Sequence, residues 1–179
     1  AMGYKIYAIG DNGKNEDYTL KIMVEKNVTF IDAKIDAKSP FTRNNLDYYN
    51  KVRKMLKEQH FDLVHCHTPI VGLIVRWAAR GYRKKGTKVI YTTHGLAFTH
   101  LSSWKEYMVY HSIESFASRF CDAIITINKE DYESAKKLHC PHVYHINGVG
   151  VDTKKFASAN IDREVYREKL GIAKHCCPV

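Results

Sequence analysis

Short apolar runs alternate with longer stretches of helical spacing along most of this chain. Residues 4–10 (YKIYAIG), 28–33 (VTFIDA), 62–66 (DLVHC), 88–93 (KVIYTT), 122–127 (DAIITI) and 142–146 (HVYHI) each read as a strand. Between them, Leu46, Tyr49, Val52 and Leu56 recur at helical spacing, which predicts a helix capped by Asn44 or Asn45 and running to about Gln59. Further helices are predicted over residues 70–83, 104–120, 129–138 and 162–170, with turns at 11–15 (DNGKN) and a loop over 147–156.

Strands alternating with helices of this length build βαβ units and a parallel sheet. Several of the strands are apolar on both faces, as a sheet covered by helices on both sides requires. The expected class is therefore α/β, a Rossmann-like open parallel sheet flanked by helices.

Three of the runs share a further feature. Residues 61–69 (FDLVHCHTP), 89–100 (VIYTTHGLAFTH) and 122–131 (DAIITINKED) each deliver polar residues at the end of an apolar strand. In open parallel sheets, ligands gather where the C-terminal ends of strands meet loops and helix N-termini. His67-Thr68-Pro69, His94-Gly95, Asn128-Lys129-Glu130 and Asn147-Gly148 all fall at such ends, and are the candidate substrate-binding residues.

His94 is the candidate catalytic residue. Gly95 follows it, and a glycine at a strand tip lets a ligand approach the backbone. An imidazole there can donate to a sugar hydroxyl or a phosphate oxygen, and its charge is tunable near neutral pH. His65 and His67, two apart on a strand, point to one face. A metal site would need a third and fourth ligand, and neither an H-x-H-x-D-H nor an H-E-x-x-H continuation is present. Residues 147–152 (NGVGVD) hold only a G-x-G, short of a dinucleotide fingerprint; the expectation there is a tight turn with Phe156 as a buried anchor. P-loop and G-x-S-x-G patterns are missing too. Glu106 and Glu114 are expected to be ordinary surface carboxylates of a helix.

Composition narrows the partners. The chain has 179 residues and a formal charge of +9, with Lys and Arg spread in short groups. That suits a solvated surface first and an anionic partner second. The five cysteines are odd in number and form no C-x-x-C, so free thiols in a reducing cytosol are expected. No run of eighteen apolar residues and no signal-peptide pattern occurs. Nucleic acid is excluded as a partner because no aromatic-basic platform is evident.

Residues 61–80 (FDLVHCHTPIVGLIVRWAAR), 86–98 (GTKVIYTTHGLAF), 121–137 (CDAIITINKEDYESAKK) and 147–156 (NGVGVDTKKF) together resemble the N-terminal domain of bacterial family 4 glycosyltransferases, in particular those of capsular and exopolysaccharide assembly. The resemblance covers about residues 3–170 and implies the acceptor-side half of a GT-B enzyme, with 171–179 a tail at the crossover to an absent donor-binding domain. It implies retaining transfer of a hexosyl or N-acetylhexosaminyl group from a nucleotide-sugar donor to a lipid-linked or saccharide acceptor, with no metal and no cofactor. On this chain His94 and Gly95 match the family's histidine-glycine loop, which reaches the transferred sugar and the leaving phosphate. His67, Thr68 and Pro69, then Asn128, Lys129 and Glu130, then Asn147 and Gly148, match neighbouring cleft loops. The family's usual first βα unit, which sits centrally in its sheet, has no counterpart here. Two Rossmann halves are needed to bracket the donor, so the chain is expected to be inactive alone. A cytoplasmic location follows, peripheral at the inner face of the plasma membrane, where an anionic surface suits the basic charge. A second copy of the chain, as a homodimer, is a further partner to test. The alternatives are a non-catalytic module binding a phospho-sugar or lipid head group, and a metal-dependent hydrolase using His65 and His67.

Overall fold

The computed structural model describes residues 3–13, 16–37, 39, 41–98, 102–148, 150–157 and 162–172. The chain divides into two compact units, Ala1–Gly148 and Val149–Val179. The first unit runs β1 (Ile6–Gly10), α1 (Glu16–Glu25), β2 (Val28–Asp32), α2 (Arg43–Glu58), β3 (Leu63–His67), α3 (Pro69–Ala79), β4 (Lys88–Thr93), α4 (Trp104–Ala117), β5 (Ala123–Thr126), α5 (Lys129–Ala135) and β6 (His142–His145). Single 3-10 turns over Arg83–Lys85 and Ser118–Phe120 follow α3 and α4. The second unit holds α6 (Thr153–Ala157) and α7 (Arg163–Lys169). Cys176, Cys177 and most of the expected tail lie outside the described residues.

Every described strand pairing is parallel. The class is α/β as expected, but the sheet is in two parts, β1-β2 and β3-β4-β5-β6. A groove of about 410 Å³ is bounded by Tyr7 to Gly10 of β1, by Leu63 to His67 of β3, and by α2 and α3. This is where a Rossmann-like strand order, 3-2-1-4-5-6, would place its central strand.

Helix α1 was not foreseen in the sequence; its polar first turn, Glu16 and Asp17, hides the start signal behind the DNGKN turn. In α2 the N-cap is Thr42, whose Oγ1 accepts from Asn45 N at 3.3 Å, and not Asn44 or Asn45. Asn45 is buried instead. Its Oδ1 accepts from Asp36 N, and its Nδ2 donates to the carbonyls of Asp36 and Ser39. Leu46, expected in the core, is exposed, and Tyr48 takes the buried position beside Val52 and Leu56.

The core lies between the larger part of the sheet and α2 and α3, around Val52, Leu56, Cys66, Ile74, Val89, Tyr91 and Ile124. One glycine sets the spacing of α3 on β4. A Cβ on Gly72 would lie 2.6 Å from the ring of Tyr91, which is fully buried and has the Arg76 guanidinium 4.1 Å above it. Gly72→Ala is expected to lower stability by a net of about 1–2 kcal/mol, overpacking outweighing the gain in helix propensity. Chemical denaturation checks this; a stabilised variant would show that the ring has room to move.

Candidate functional site

The tips of β3 and β4 bring two histidines together. His67 pairs in register with Thr92, and His94 lies just beyond the end of β4. The His67 Nδ1 and His94 Nε2 atoms are 3.2 Å apart, so one ring donates and the other accepts. The rings lie 5.4 Å apart and both are solvent-facing. His65, on the same face of β3, has its ring 4.4 Å from that of His67, tilted by 37°, and bonds Thr92 Oγ1 at 2.8 Å.

Burial, and then the neighbouring imidazole, holds His65 and His67 below the ordinary value of 6.5. The folded chain therefore favours neutral rings at both positions, which fits a donor-acceptor pair. The unfolded chain takes up these protons first as pH falls. Stability is thus full above about pH 6.5 and declines below it until the folded rings also protonate. Denaturation midpoints between pH 7.5 and 5 should fall in the wild type and fall less in a His65→Gln, His67→Gln variant. Equal falls would remove these rings as the cause.

The loops around the pair carry unusual backbone. Thr68 has φ 61° and ψ 151°, a conformation close to glycine-only, and it directly precedes Pro69 at the first turn of α3. Such strain persists only where its surroundings over-determine it. Here it places the unsatisfied N–H groups of the α3 N-terminus beside the histidines, where they can attract an anion. Gly95 has φ 145°, and its N–H donates to Thr93 Oγ1 at 3.2 Å.

Asp131 ties this loop to the next strand tip. Its carboxylate is buried and accepts from Leu96 N at 3.2 Å through either oxygen. Asn128, the N-cap of α5, donates through Nδ2 to Asp131 Oδ2 at 2.9 Å and accepts from Asp131 N at 2.7 Å. Asn128 thus holds a helix start together with a cleft loop, while Lys129 and Glu130 are exposed at the first turn of α5. Asn147 and Gly148 follow β6, with Gly148 at φ 77° close to the carbonyl of Ile127. The candidates thus occupy neighbouring strand tips in the order β3, β4, β5, β6, and His67 and His94 are in direct contact. Asp131 escaped the sequence reading, although an acid three residues after a capping asparagine is a helix-start signal.

Two expectations are corrected. Glu114 is not a surface carboxylate: it is buried and makes a two-pronged pair with Arg76, including an Nη2–Oε2 bond of 3.0 Å. Glu106 is exposed, but it closes a capping box with Ser103, whose Oγ bond first, and then its N–H bond, hold the carboxyl below the usual range. Phe156 is no buried anchor, being 67% exposed, with α6 occupying the expected loop. Among the described residues, no group of three His, Cys, Asp or Glu is arranged to hold a metal ion. His65 is turned to Thr92, while His67 and His94 satisfy each other.

In an open parallel α/β layer, ligands gather where the C-terminal ends of the strands meet loops and helix N-termini, and the candidate residues stand at that edge. The comparisons narrow that class. The Glycosyltransferase Family 4 profile matches residues 1–155. The chain is 38% identical over 176 residues to EpsD of Bacillus subtilis (strain 168), a protein named provisionally as a glycosyltransferase; the match covers 95% of this chain and 43% of that one. It is 32% identical over 125 residues to the UDP-Gal:alpha-D-GlcNAc-diphosphoundecaprenol alpha-1,3-galactosyltransferase of Escherichia coli, covering 68% of this chain and 32% of that one. A 41.2 kDa protein in the cps region of Klebsiella pneumoniae is 34% identical over 131 residues, or 66% of this chain and 36% of its own. The chain belongs to glycosyltransferase family 4. It spans less than half the length of these curated relatives.

Proposed function

We propose that this chain is the acceptor-side half of a retaining glycosyltransferase of GT-B type. The parent enzyme moves a hexosyl or N-acetylhexosaminyl group from a nucleotide sugar to a diphosphate-linked polyprenol during surface-polysaccharide assembly. The observation that carries the reading is the hydrogen-bonded His67–His94 pair at adjacent strand tips, flanked by Thr68, Gly95 and the α3 N-terminus. Glycosyl transfer develops positive charge on the sugar and negative charge on the departing phosphate. His94, with its exposed ring, is placed to donate to the transferred sugar or the leaving phosphate, and His67 holds that ring in orientation. The N–H groups at the start of α3 add a fixed partial positive charge on the same side. The E. coli relative, whose name specifies a diphosphoundecaprenol acceptor, supports the choice of acceptor class.

The other wall of such a cleft belongs to a second Rossmann-like domain, so the 179-residue chain is proposed to be inactive by itself. The test is transfer from a panel of radiolabelled nucleotide sugars to a short-chain polyprenyl-diphosphate sugar, with this chain and with a longer polypeptide that adds the remaining half. Turnover by the longer protein alone supports the reading. Turnover by the isolated chain would refute the inactivity, and no turnover by either would favour a binding-only module.

A further inference from the structure

β5 and β6 begin at the sheet edge opposite the candidate site, and a cysteine stands two residues before each. Ala123 pairs with His142, and the same offset of nineteen, carried two residues back, sets Cys121 beside Cys140. Neighbouring strands stand about 4.7–4.9 Å apart, inside the Cα separation of about 4.4–6.8 Å that a disulfide spans. The two Sγ atoms are already 3.6 Å apart. Closing that gap to an S–S bond of about 2.05 Å is within the reach of side-chain rotation. Both segments are held in place. Ser118 Oγ accepts from His139 N at 3.1 Å and donates to the Ser115 carbonyl at 2.8 Å. Asp122, next to Cys121, accepts from Arg83 at 3.0 and 3.1 Å and from Val89 N at 2.8 Å.

The two thiols differ in access and in acidity. Cys121 is fully buried, whereas Cys140 is half-buried. The Cys121 S–H donates to Cys140 Sγ. That hydrogen bond draws the Cys140 thiol below its ordinary range; burial opposes the shift, and a backbone bond at His142 and the Arg76 and Arg83 charges add to it. The same bond, and then burial, pushes Cys121 up, so Cys121 keeps its proton. Oxidation selects sulfurs that combine thiolate character with access, which makes Cys140 the attacking sulfur and Cys121 the resolving one. Cys66 has neither property: burial pushes its thiol up to about 12, and it donates to the carbonyls of Gly72 and Ile90. Among the described residues, no third ligand joins the pair to make a metal centre.

We propose that Cys121 and Cys140 form a reversible oxidative modification site, at which a hydroperoxide converts the two thiols to a disulfide that staples β5 to β6. The Cys140 thiolate attacks one peroxide oxygen, the O–O bond breaks, and the hydroxide that leaves becomes water with the proton Cys140 had released. Cys140 is then a sulfenic acid, oxidised by two electrons as the peroxide is reduced by two. The Cys121 sulfur attacks it, the S–O bond breaks, and the departing hydroxide takes the Cys121 proton as a second water. A dithiol reductant reverses the step by exchange at the half-buried Cys140 sulfur, leaving as its own disulfide while both cysteines regain thiols. The closed loop, residues 121–140, contains Asn128 and Asp131, so the staple fastens the base of the unit whose tip carries them.

The experiment treats the full chain, folded and in urea, with hydrogen peroxide, blocks remaining thiols with iodoacetamide and maps the tryptic peptides. The expected product joins peptide 120–129 to peptide 138–154. It should form at least tenfold faster in the folded chain than in urea, and dithiothreitol should remove it. The oxidised chain should melt about 5–10 °C higher than the reduced one, as a loop of this length closed in the unfolded state requires. Cys121→Ser should stop at a Cys140 sulfenic acid that dimedone traps, whereas Cys140→Ser should leave the buried Cys121 unoxidised. If Cys121→Ser fails to fold, the wild-type linkage and Cys140→Ser carry the test. Absence of the linked peptide in the folded chain overturns the proposal, as do equal rates in urea. So does linkage of Cys140 to Cys66, Cys176 or Cys177 in comparable yield, or oxidation of Cys140 to sulfinic acid without linkage. An oxidised chain that melts no higher than the reduced one overturns the staple.

Discussion

Replacing Glu114 with alanine should lower stability by about 3–5 kcal/mol, the cost of leaving a buried charge unpaired. Arg76 is fully buried in α3, and its guanidinium has few partners to choose from. Two prongs go to Glu114, Nε donates to the carbonyl of Gly72 at 2.9 Å, and one face lies on the Tyr91 ring. Burial alone would push the Arg76 proton off; the Glu114 carboxylate more than offsets it and holds the group charged. Without that carboxylate no other described acid pairs with Arg76. Glu114→Gln keeps an acceptor and the shape, so its loss should be smaller. Arg76→Met together with Glu114→Leu should recover most of the stability, because an apolar pair of similar volume has no charge to desolvate. Urea denaturation with an unchanged slope measures all three. A loss below about 1 kcal/mol for Glu114→Ala would place the pair among solvent-screened surface bridges, contrary to its burial.

In the longer polypeptide of the proposed transfer assay, His94→Ala should reduce kcat by about 10²–10³-fold, the usual effect of removing one preorganised donor to developing charge. KM should change little, since the interaction strengthens only in the transition state. The fold should be untouched, because His94 is exposed and bonded within the described residues to His67 alone. Asp131→Asn is a useful companion. It keeps the outline of the side chain but weakens the hold on Leu96 N, so it should lower kcat through loop position and also lower the melting temperature. A His94→Ala enzyme within threefold of wild type would remove His94 from the chemistry and leave it as a loop residue.

The strands were legible because each is a short apolar run ended by a change of residue type, and Val, Ile and Tyr leave little ambiguity in KVIYTT or DAIITI. Helix α1 was not, because its charged first turn follows a turn signal without a clear apolar stripe. Asn45 shows a different limit. At a helix start it reads as a cap, yet its bonds to Asp36 and Ser39 give it a larger hydrogen-bonding role than the cap Thr42 has. Leu46 fails for the same reason as Glu114. Helical periodicity tells which residues share a face, but not whether another element covers that face. Glu114 is buried because α3 delivers Arg76 to it from 38 positions away.

The candidate site divides along similar lines. That His67 and His94 end their strands could be read locally, and parallel pairing alone places both tips on one edge. Their 3.2 Å contact depends on the register of β3 against β4 and on where the loop turns after Thr93. The strain at Thr68 and the anchoring of the loop by Asp131 are likewise set by neighbours distant in the chain.

By itself the sequence determined an α/β layer of parallel strands, the edge at which its polar tips gather, and its kinship with glycosyltransferase family 4. Those properties follow from local periodicity, strand-end chemistry and motif order. Tertiary structure alone decided that the sheet divides between β1 and β3, that a buried ion pair joins α3 to α4, and that Trp104, Met108 and Val109 of α4 stay exposed. Each of these depends on which surfaces meet. Contacts between residues far apart in the chain set that, and no single segment encodes it.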